Sequence, residues 1–217
     1  MNHLFSLKDR IALVTGGSRG IGKMIAKGFL AQGASRVYIT ARKAAACNET
    51  AKELSGVGGE CIPLPIDIST VAGADQLAAE IAKREKKLDI LVNNAGAAWA
   101  AEMSEFPESG WDKVVDLNMK TPFFLTKALL PQLRAAASAE KPGKVINIAS
   151  IDGIFVNPLE TYPYAASKAG LIHLTRRMAA KLIKDHIVVT AIAPGPFASD
   201  MNKDARDHGD TVATRVP

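Results

Sequence analysis

Tyr164 and Lys168 stand four residues apart in a helical pattern, so their side chains share one helix face. An ammonium beside a phenol favours the ionised phenol and is expected to lower its pKa from about 10. Such a pair can give or take a proton near neutral pH. Ser150 directly follows one apolar run, Lys144–Ala149, and Asn93 and Asn94 directly follow another, Leu88–Val92. If both runs are strands of a parallel sheet, their carboxyl ends carry ligand-binding loops. The hydroxyl, the amides and the Tyr/Lys pair would then meet at one sheet edge. A Tyr/Lys pair at this spacing is common in helices without any catalytic role, so the weight lies in the shared edge.

A second constellation lies near the N-terminus. Ile11–Gly22 reads I-A-L-V-T-G-G-S-R-G-I-G: an apolar strand, a turn through Gly16, Ser18, Arg19 and Gly20, and a helix continuing through Ile21 and Gly22. Glycine suits a turn that needs positive φ or close approach to a ligand. The unpaired N–H groups at a helix start attract an anion, and a dinucleotide pyrophosphate is the candidate. Two other readings compete. Gly16–Gly20 also spells the G-x-S-x-G nucleophile elbow, and the turn could be purely structural. An elbow needs a histidine at the same edge. His173 sits in a helical pattern and His186 precedes a strand, at the wrong end, which leaves His208 open.

The end of the second strand separates two cofactors. A fold that holds NAD usually places Asp or Glu there, to bond the adenosine ribose hydroxyls. Here the residues are Thr40-Ala41-Arg42-Lys43, without an acid. Arginine pairs with phosphate through its planar donor fork. Arg42, helped by Arg19, therefore favours the 2′-phosphate of NADP(H), against the reading of both as solvated surface charges.

The elements that must position these groups alternate. Strands are expected at Ile11–Thr15, Arg36–Thr40, Cys61–Ile66, Leu88–Val92, Lys144–Ala149 and Ile187–Ala193. Helices are expected at Gly20–Gln32, Ala44–Ser55, Gly73–Lys86, Trp111 to about Ala137, and Pro163 to about Lys184, with Pro122 and Pro131 marking a bend or a new first turn. Repeated β–α units with continuously apolar strands predict an α/β fold, a doubly wound parallel sheet with helices on both faces. The 217 residues suit one such domain, spanning 1–217, and are too few for two. Residues 199–217 turn polar and offer no further strand, so the domain reads as lacking C-terminal elements.

Composition excludes several classes. An apolar content of 47% argues against disorder, and a net charge of +5 without a dense basic block argues against a nucleic-acid partner. Two cysteines, Cys47 and Cys61, make neither a disulfide framework nor a metal site. No run is long enough to span a membrane and no signal peptide is evident, so the expected compartment is the cytoplasm.

Taken together the residues resemble the short-chain dehydrogenase/reductase family over essentially the whole chain. Its T-G-x-x-x-G-x-G turn is met by Thr15–Gly22, its N-N-A-G by Asn93-Asn94-Ala95-Gly96, its Y-x-x-x-K by Tyr164–Lys168, and its P-G by Pro194-Gly195. The resemblance implies catalytic roles for Asn118, Ser150, Tyr164 and Lys168, and cofactor contacts at Asp67, Ile68, Asn94, Ala95, Gly96, Pro194 and Gly195 besides the glycine turn. Tyr164 would deliver a proton while hydride reaches a carbonyl, Ser150 would hydrogen-bond that oxygen, Lys168 would hold the cofactor ribose and lower the tyrosine pKa, and Asn118 would position a water. No metal is implied. Within the family the chain is most similar to 3-oxoacyl-acyl-carrier-protein reductases, including a branch linked to rhamnolipid synthesis, through F-S-L-x-x-R-I-A-L-V-T-G-G-S-R-G-I-G and L-R-x-x-A-S-A-E. This implies a ketone or acyl-thioester substrate, carried on acyl-carrier protein, and a homotetramer or homodimer. An alcohol or sugar dehydrogenase and a catalytically silent dinucleotide sensor are the alternatives. Trp99, Ile154, Phe155, Val156 and Leu159 would line an apolar substrate entrance or serve packing and interfaces.

Overall fold

Ile11–Thr15 is buried along its whole length, as a strand with helices packed on its sheet must be. It lies near the middle of the computed structural model, which describes residues 5–195. In chain order the strands are β1 (Ile11–Thr15), β2 (Arg36–Thr40), β3 (Glu60–Leu64), β4 (Ile90–Asn93), β5 (Gly143–Ile148) and β6 (Ile187–Ile192). The helices are α1 (Gly20–Ala31), α2 (Ala44–Leu54), α3 (Val71–Arg84), α4 (Glu108–Val115), α5 (Thr121–Ala128), α6 (Leu130–Ala136) and α7 (Tyr162–Leu182). All pairings are parallel, in the spatial order β3-β2-β1-β4-β5-β6. The chain winds outward from β1 to β3, then returns to β4 on the other side of β1. That reversal opens a crevice beyond the carboxyl ends of β1 and β4.

Two apolar layers hold the sheet. On one face Leu13, Tyr38, Leu91 and Val145 meet α3, α5, α6 and α7 through Leu77, Ile81, Leu125, Leu133 and Met178. On the other, Ala12, Val14, Val37, Ile39 and Val92 meet α1 and α2 through Ala26, Leu30, Cys47 and Leu54. The doubly wound sheet expected from the sequence is present, with boundary shifts of one or two residues. β3 begins at Glu60 and stops at Leu64, because Pro65 has no N–H to continue the ladder; Pro63 is tolerated in this edge strand. β4 begins at Ile90, since the Leu88 N–H goes instead to Gln132 O at 3.0 Å.

The helical region expected from Trp111 begins three residues earlier, at Glu108, and is broken into α4, a π turn at Asp116–Lys120, α5 and α6. Pro122 has no N–H for the Asn118 carbonyl four residues back, and the Thr121 N–H reaches five residues back to Asp116 O. Pro131 lies in the first turn of α6, where its missing N–H costs nothing. Residues 199–217, read as polar and without a strand, lie outside the described residues.

Candidate active site

The glycine turn closes on the neighbouring strand ends. Gly16 takes φ +65°, a conformation that strains any residue with a Cβ. A Cβ on Gly22 would collide with the Gly16 carbonyl oxygen and come within 2.5 Å of Asn94 Nδ2. Gly17 N donates to Thr40 O at 3.1 Å, joining the turn to the end of β2. The Ser18 carbonyl accepts from Thr50 Oγ1 at 2.9 Å. The first turn of α1, from Gly20 through Ile21 and Gly22, has neither a side-chain cap nor an acidic residue. Its orphan N–H groups and positive dipole end therefore face the crevice ready for an anion, which is the donor set a dinucleotide phosphate fits. Arg19 and Arg42 are exposed beside it, and Arg42 makes no ion pair among the described residues.

Thr15, which stood in the sequence only as the first letter of a motif, organises this corner. Its Oγ1 accepts from the N–H groups of Asn94 and Ala95, both at 2.9 Å, and donates to Val92 O at 3.3 Å. Asn94 Nδ2 returns to Thr15 O at 2.8 Å and Gly16 O at 3.3 Å. The ends of β1 and β4 are thus laced together where the crevice opens. Asp67 is exposed, and its Oδ1 accepts from Ser69 N at 3.0 Å. Ile68 is buried and its carbonyl accepts from Thr121 Oγ1 at 2.7 Å.

Ser150 directly follows β5 and Tyr164 lies in the first turn of α7, near enough for the serine hydroxyl to act on the phenol's pKa. Ser150 Oγ also accepts from Asp152 N at 3.2 Å. Lys168 is only 4% exposed, donates from Nζ to Ile148 O at 2.7 Å, and lies 5.5 Å from the Tyr164 ring centre. A Cβ on Gly96 would stand 3.8 Å from that Nζ and 3.3 Å from Asn118 Oδ1. Asn118 clamps Ala97 from both sides, accepting from its N–H at 2.8 Å and donating to its carbonyl at 2.9 Å. The other Asn118 amide proton goes to Ser167 Oγ at 3.1 Å. Both protons are committed to protein, so the water contact expected of Asn118 falls to its oxygens.

One expectation is corrected. The Tyr164 phenol is raised, not lowered. Burial dominates and raises the Tyr164 pKa above 10; the Ser150 hydroxyl pulls it down, and the Asp152 carboxylate pushes it further up. The same burial lowers the Lys168 ammonium from 10.5 to about 8. The pair reads as a phenol held protonated beside a buried cation.

The remaining candidates fall into place around this centre. Pro194 O accepts from Ile151 N at 3.1 Å, which ties the chain after β6 to the segment after Ser150, and Gly195 follows in open space. Tyr162 is turned away, with its hydroxyl donating to Glu160 Oε1 at 3.0 Å and its ring against Phe106. Trp99 packs over Gly110 with Lys113 Nζ 4.9 Å from its ring, so it belongs to the α4 packing. Ile154, Phe155, Val156 and Leu159 remain exposed between Ser150 and Tyr164. His173 is exposed on α7 and His186 caps the turn before β6, at the opposite sheet edge; His208 lies outside the described residues. Among the described residues no helix is long and apolar enough to cross a membrane.

Known proteins share this fold. A rhamnolipid-biosynthesis 3-oxoacyl-[acyl-carrier-protein] reductase of Pseudomonas aeruginosa is 51% identical over 94% of this chain and 78% of its own length. A 3-oxoacyl-[acyl-carrier-protein] reductase of Synechocystis is 34% identical over 91% of this chain and 78% of its own length. The Pseudomonas aeruginosa RhlG/NADP active-site complex superposes with a TM-score of 0.92 at 48% identity, covering 97% of this chain and 81% of that one. The family model for short chain dehydrogenase matches residues 10–210, so the chain belongs to the short-chain dehydrogenase family.

Proposed function

We propose that this chain reduces a 3-oxoacyl thioester to the hydroxyacyl compound with NADPH. The observation that carries the reading is buried Lys168, its Nζ 5.5 Å from the Tyr164 ring centre and 2.7 Å from Ile148 O, with Ser150 two residues on and the uncapped start of α1 at the same sheet edge. Bound NADPH would supply the hydride. Tyr164, held protonated by burial, donates its proton to the substrate oxygen, and Ser150 hydrogen-bonds that oxygen as negative charge grows on it. Lys168 holds a positive charge beneath the phenol, and its remaining protons would be available to a ribose hydroxyl of bound NADPH. Asn118 and Gly96 shape the floor, and Asn94, Ala95, Pro194 and Gly195 are the residues that would hold the cofactor.

The acid-free end of β2 and exposed Arg42 support NADP(H) over NAD(H). The rhamnolipid-biosynthesis relative supports a thioester substrate, borne on acyl-carrier protein as in that protein's name. Exposed Ile154, Phe155, Val156 and Leu159 sit where an aliphatic chain would leave the site.

The test is loss of NADPH absorbance on adding a 3-oxoacyl thioester, abolished by Tyr164→Phe. No turnover on thioester, steroid, sugar and small-ketone panels would overturn the reading, and turnover confined to polyols would redirect it to a sugar dehydrogenase. Within the thioesters, Phe155→Ser and Val156→Ser should lower kcat/KM for ten-carbon chains relative to four-carbon ones, by up to about fourfold per methylene that loses its contact.

A further inference from the structure

Ser167 is 1% exposed and makes two hydrogen bonds that join separate parts of the site. Its Oγ donates to Tyr164 O at 2.8 Å, three residues back on α7, and accepts from Asn118 Nδ2 at 3.1 Å. Asn118 lies in the π turn between α4 and α5 and holds both backbone groups of Ala97. One hydroxyl therefore couples the turn of α7 that carries Tyr164 to the loop after β4. Among the described residues no other hydrogen bond joins the Asn118 side chain to α7, and alanine at 167 would leave one buried amide proton of Asn118 without an acceptor.

We infer that Ser167 is a positioning residue for the reductase: through Asn118 it fixes the Gly96–Ala97 wall of the site against Tyr164 and Lys168. The inference rests on the proposed reductase activity for its kinetic test, and has a second test that needs no activity. Loss of the hydroxyl frees the amide to turn, Ala97 loses its two-sided clamp, and the wall beside Lys168 Nζ moves relative to the phenol. Misplacement of a reacting geometry on that scale costs roughly ten- to a hundredfold in rate. Because Ser167 touches the groups that shape the reacting centre and not the phosphate cradle, the loss falls on kcat and leaves KM for NADPH unchanged.

The experiment compares Ser167→Ala, Ser167→Thr, Asn118→Ala and the Ser167→Ala/Asn118→Ala pair by single-turnover oxidation of NADPH with a 3-oxoacyl-CoA. Ser167→Ala should lose rate with the cofactor KM intact, Ser167→Thr should restore most of it, and Ser167→Ala should cost no more than about twofold once Asn118 is alanine. Equal losses in both backgrounds, or full activity of Ser167→Ala, overturn the role. If the unmodified chain turns over no substrate, the reductase reading fails, and the positioning role is decided by amide hydrogen exchange. There Ser167→Ala should speed exchange at Ala97 by about tenfold while β4 and β5 stay protected. Unchanged exchange at Ala97, or a uniform rise across the sheet, overturns the role independently of activity.

Discussion

At the scale of single residues, burial decides the acid–base chemistry. The sequence places Lys168 one helical turn from Tyr164 and so leads to a lowered phenol pKa; the fold encloses both groups, and desolvation is the largest cause at each. A phenol raised above 10 is a full proton donor at neutral pH, so kcat/KM for ketone reduction should be flat there and fall only in alkali, while oxidation of the hydroxyacyl product should climb with pH. Asp152→Asn removes a charge that raises the phenol and should move the alkaline limb to lower pH in a pH–rate profile. Lys168 carries a stability signature as well. Its folded value of about 8 against 10.5 unfolded means that the unfolded chain holds the extra proton between them, so stability rises with pH through that window. The rise is on the order of 3 kcal/mol for a shift of this size. The buried thiols of Cys47 and Cys61, raised from 9, oppose it from about pH 9 and the raised tyrosines from about pH 10, so the Lys168 contribution is read as the difference between the unsubstituted chain and Lys168→Met in urea titrations from pH 8 to 10. At the cofactor edge, Arg42→Ala should raise KM for NADPH by roughly ten- to a hundredfold and leave KM for NADH unaltered, since one charge-assisted phosphate contact is lost. Equal effects on both cofactors would make Arg42 a solvated surface charge.

At the scale of elements, the sequence reads best where a local cause acts alone. The apolar runs and the glycines at their ends locate β1 and β2 to the residue, because a strand buried on both faces leaves an unbroken apolar signature. The π turn at Asp116–Lys120 shows in the sequence only as Pro122, a bend of unspecified kind, since choosing between a kink and a wider turn depends on what packs beneath it. Thr15 and Ser167 carry no such local signal. A small hydroxyl in a strand end or a helix signals nothing until its partners, distant in the chain, are known. The short turn after Ser150 is a similar case. A Cβ on Gly153 would lie 2.7 Å from the Lys168 carbonyl carbon and from Ala169 N, and neither backbone atom can yield without moving α7. Gly153→Ala should therefore cost roughly 1–3 kcal/mol in chemical denaturation and push Ser150 away from Tyr164. An unchanged midpoint with full activity would mean that the turn shifts freely.

At the scale of the whole molecule, a buried polar chain runs through the sheet below the site. Thr126 Oγ1 accepts from Asn93 Nδ2 at 3.3 Å, Asn93 Nδ2 donates to Asn147 Oδ1 at 2.8 Å, and Asn147 Nδ2 donates to Thr175 Oγ1 at 2.8 Å. The line connects α5, β4, β5 and α7, and Asn93 and Asn147 are register partners in the ladder. The N-N-A-G motif marks Asn93, but nothing in the sequence identifies Asn147 or Thr175 as its continuation, because the chain of bonds exists only once β4 and β5 lie side by side. Among the described residues no fully buried side-chain nitrogen or oxygen lacks a hydrogen-bond partner, so the chain is satisfied throughout. That makes its energetics asymmetric. Asn93→Leu leaves Asn147 Oδ1 buried without its donor and should cost roughly 1–3 kcal/mol beyond ordinary repacking. Asn147→Leu strands an Asn93 proton in the same way. The two threonines are indifferent to either change, since Thr126 and Thr175 donate to Pro122 O at 2.6 Å and Leu171 O at 2.7 Å within their own helices. The double variant removes donor and acceptor together and should be more stable than the sum of the single losses predicts, by an interaction of one or more kcal/mol in a double-mutant cycle, about the range found for residues in one network. Additive losses would mean that each asparagine is held by its own packing, and that the sheet edge carrying Ser150 and Asn94 is braced by the apolar layers alone.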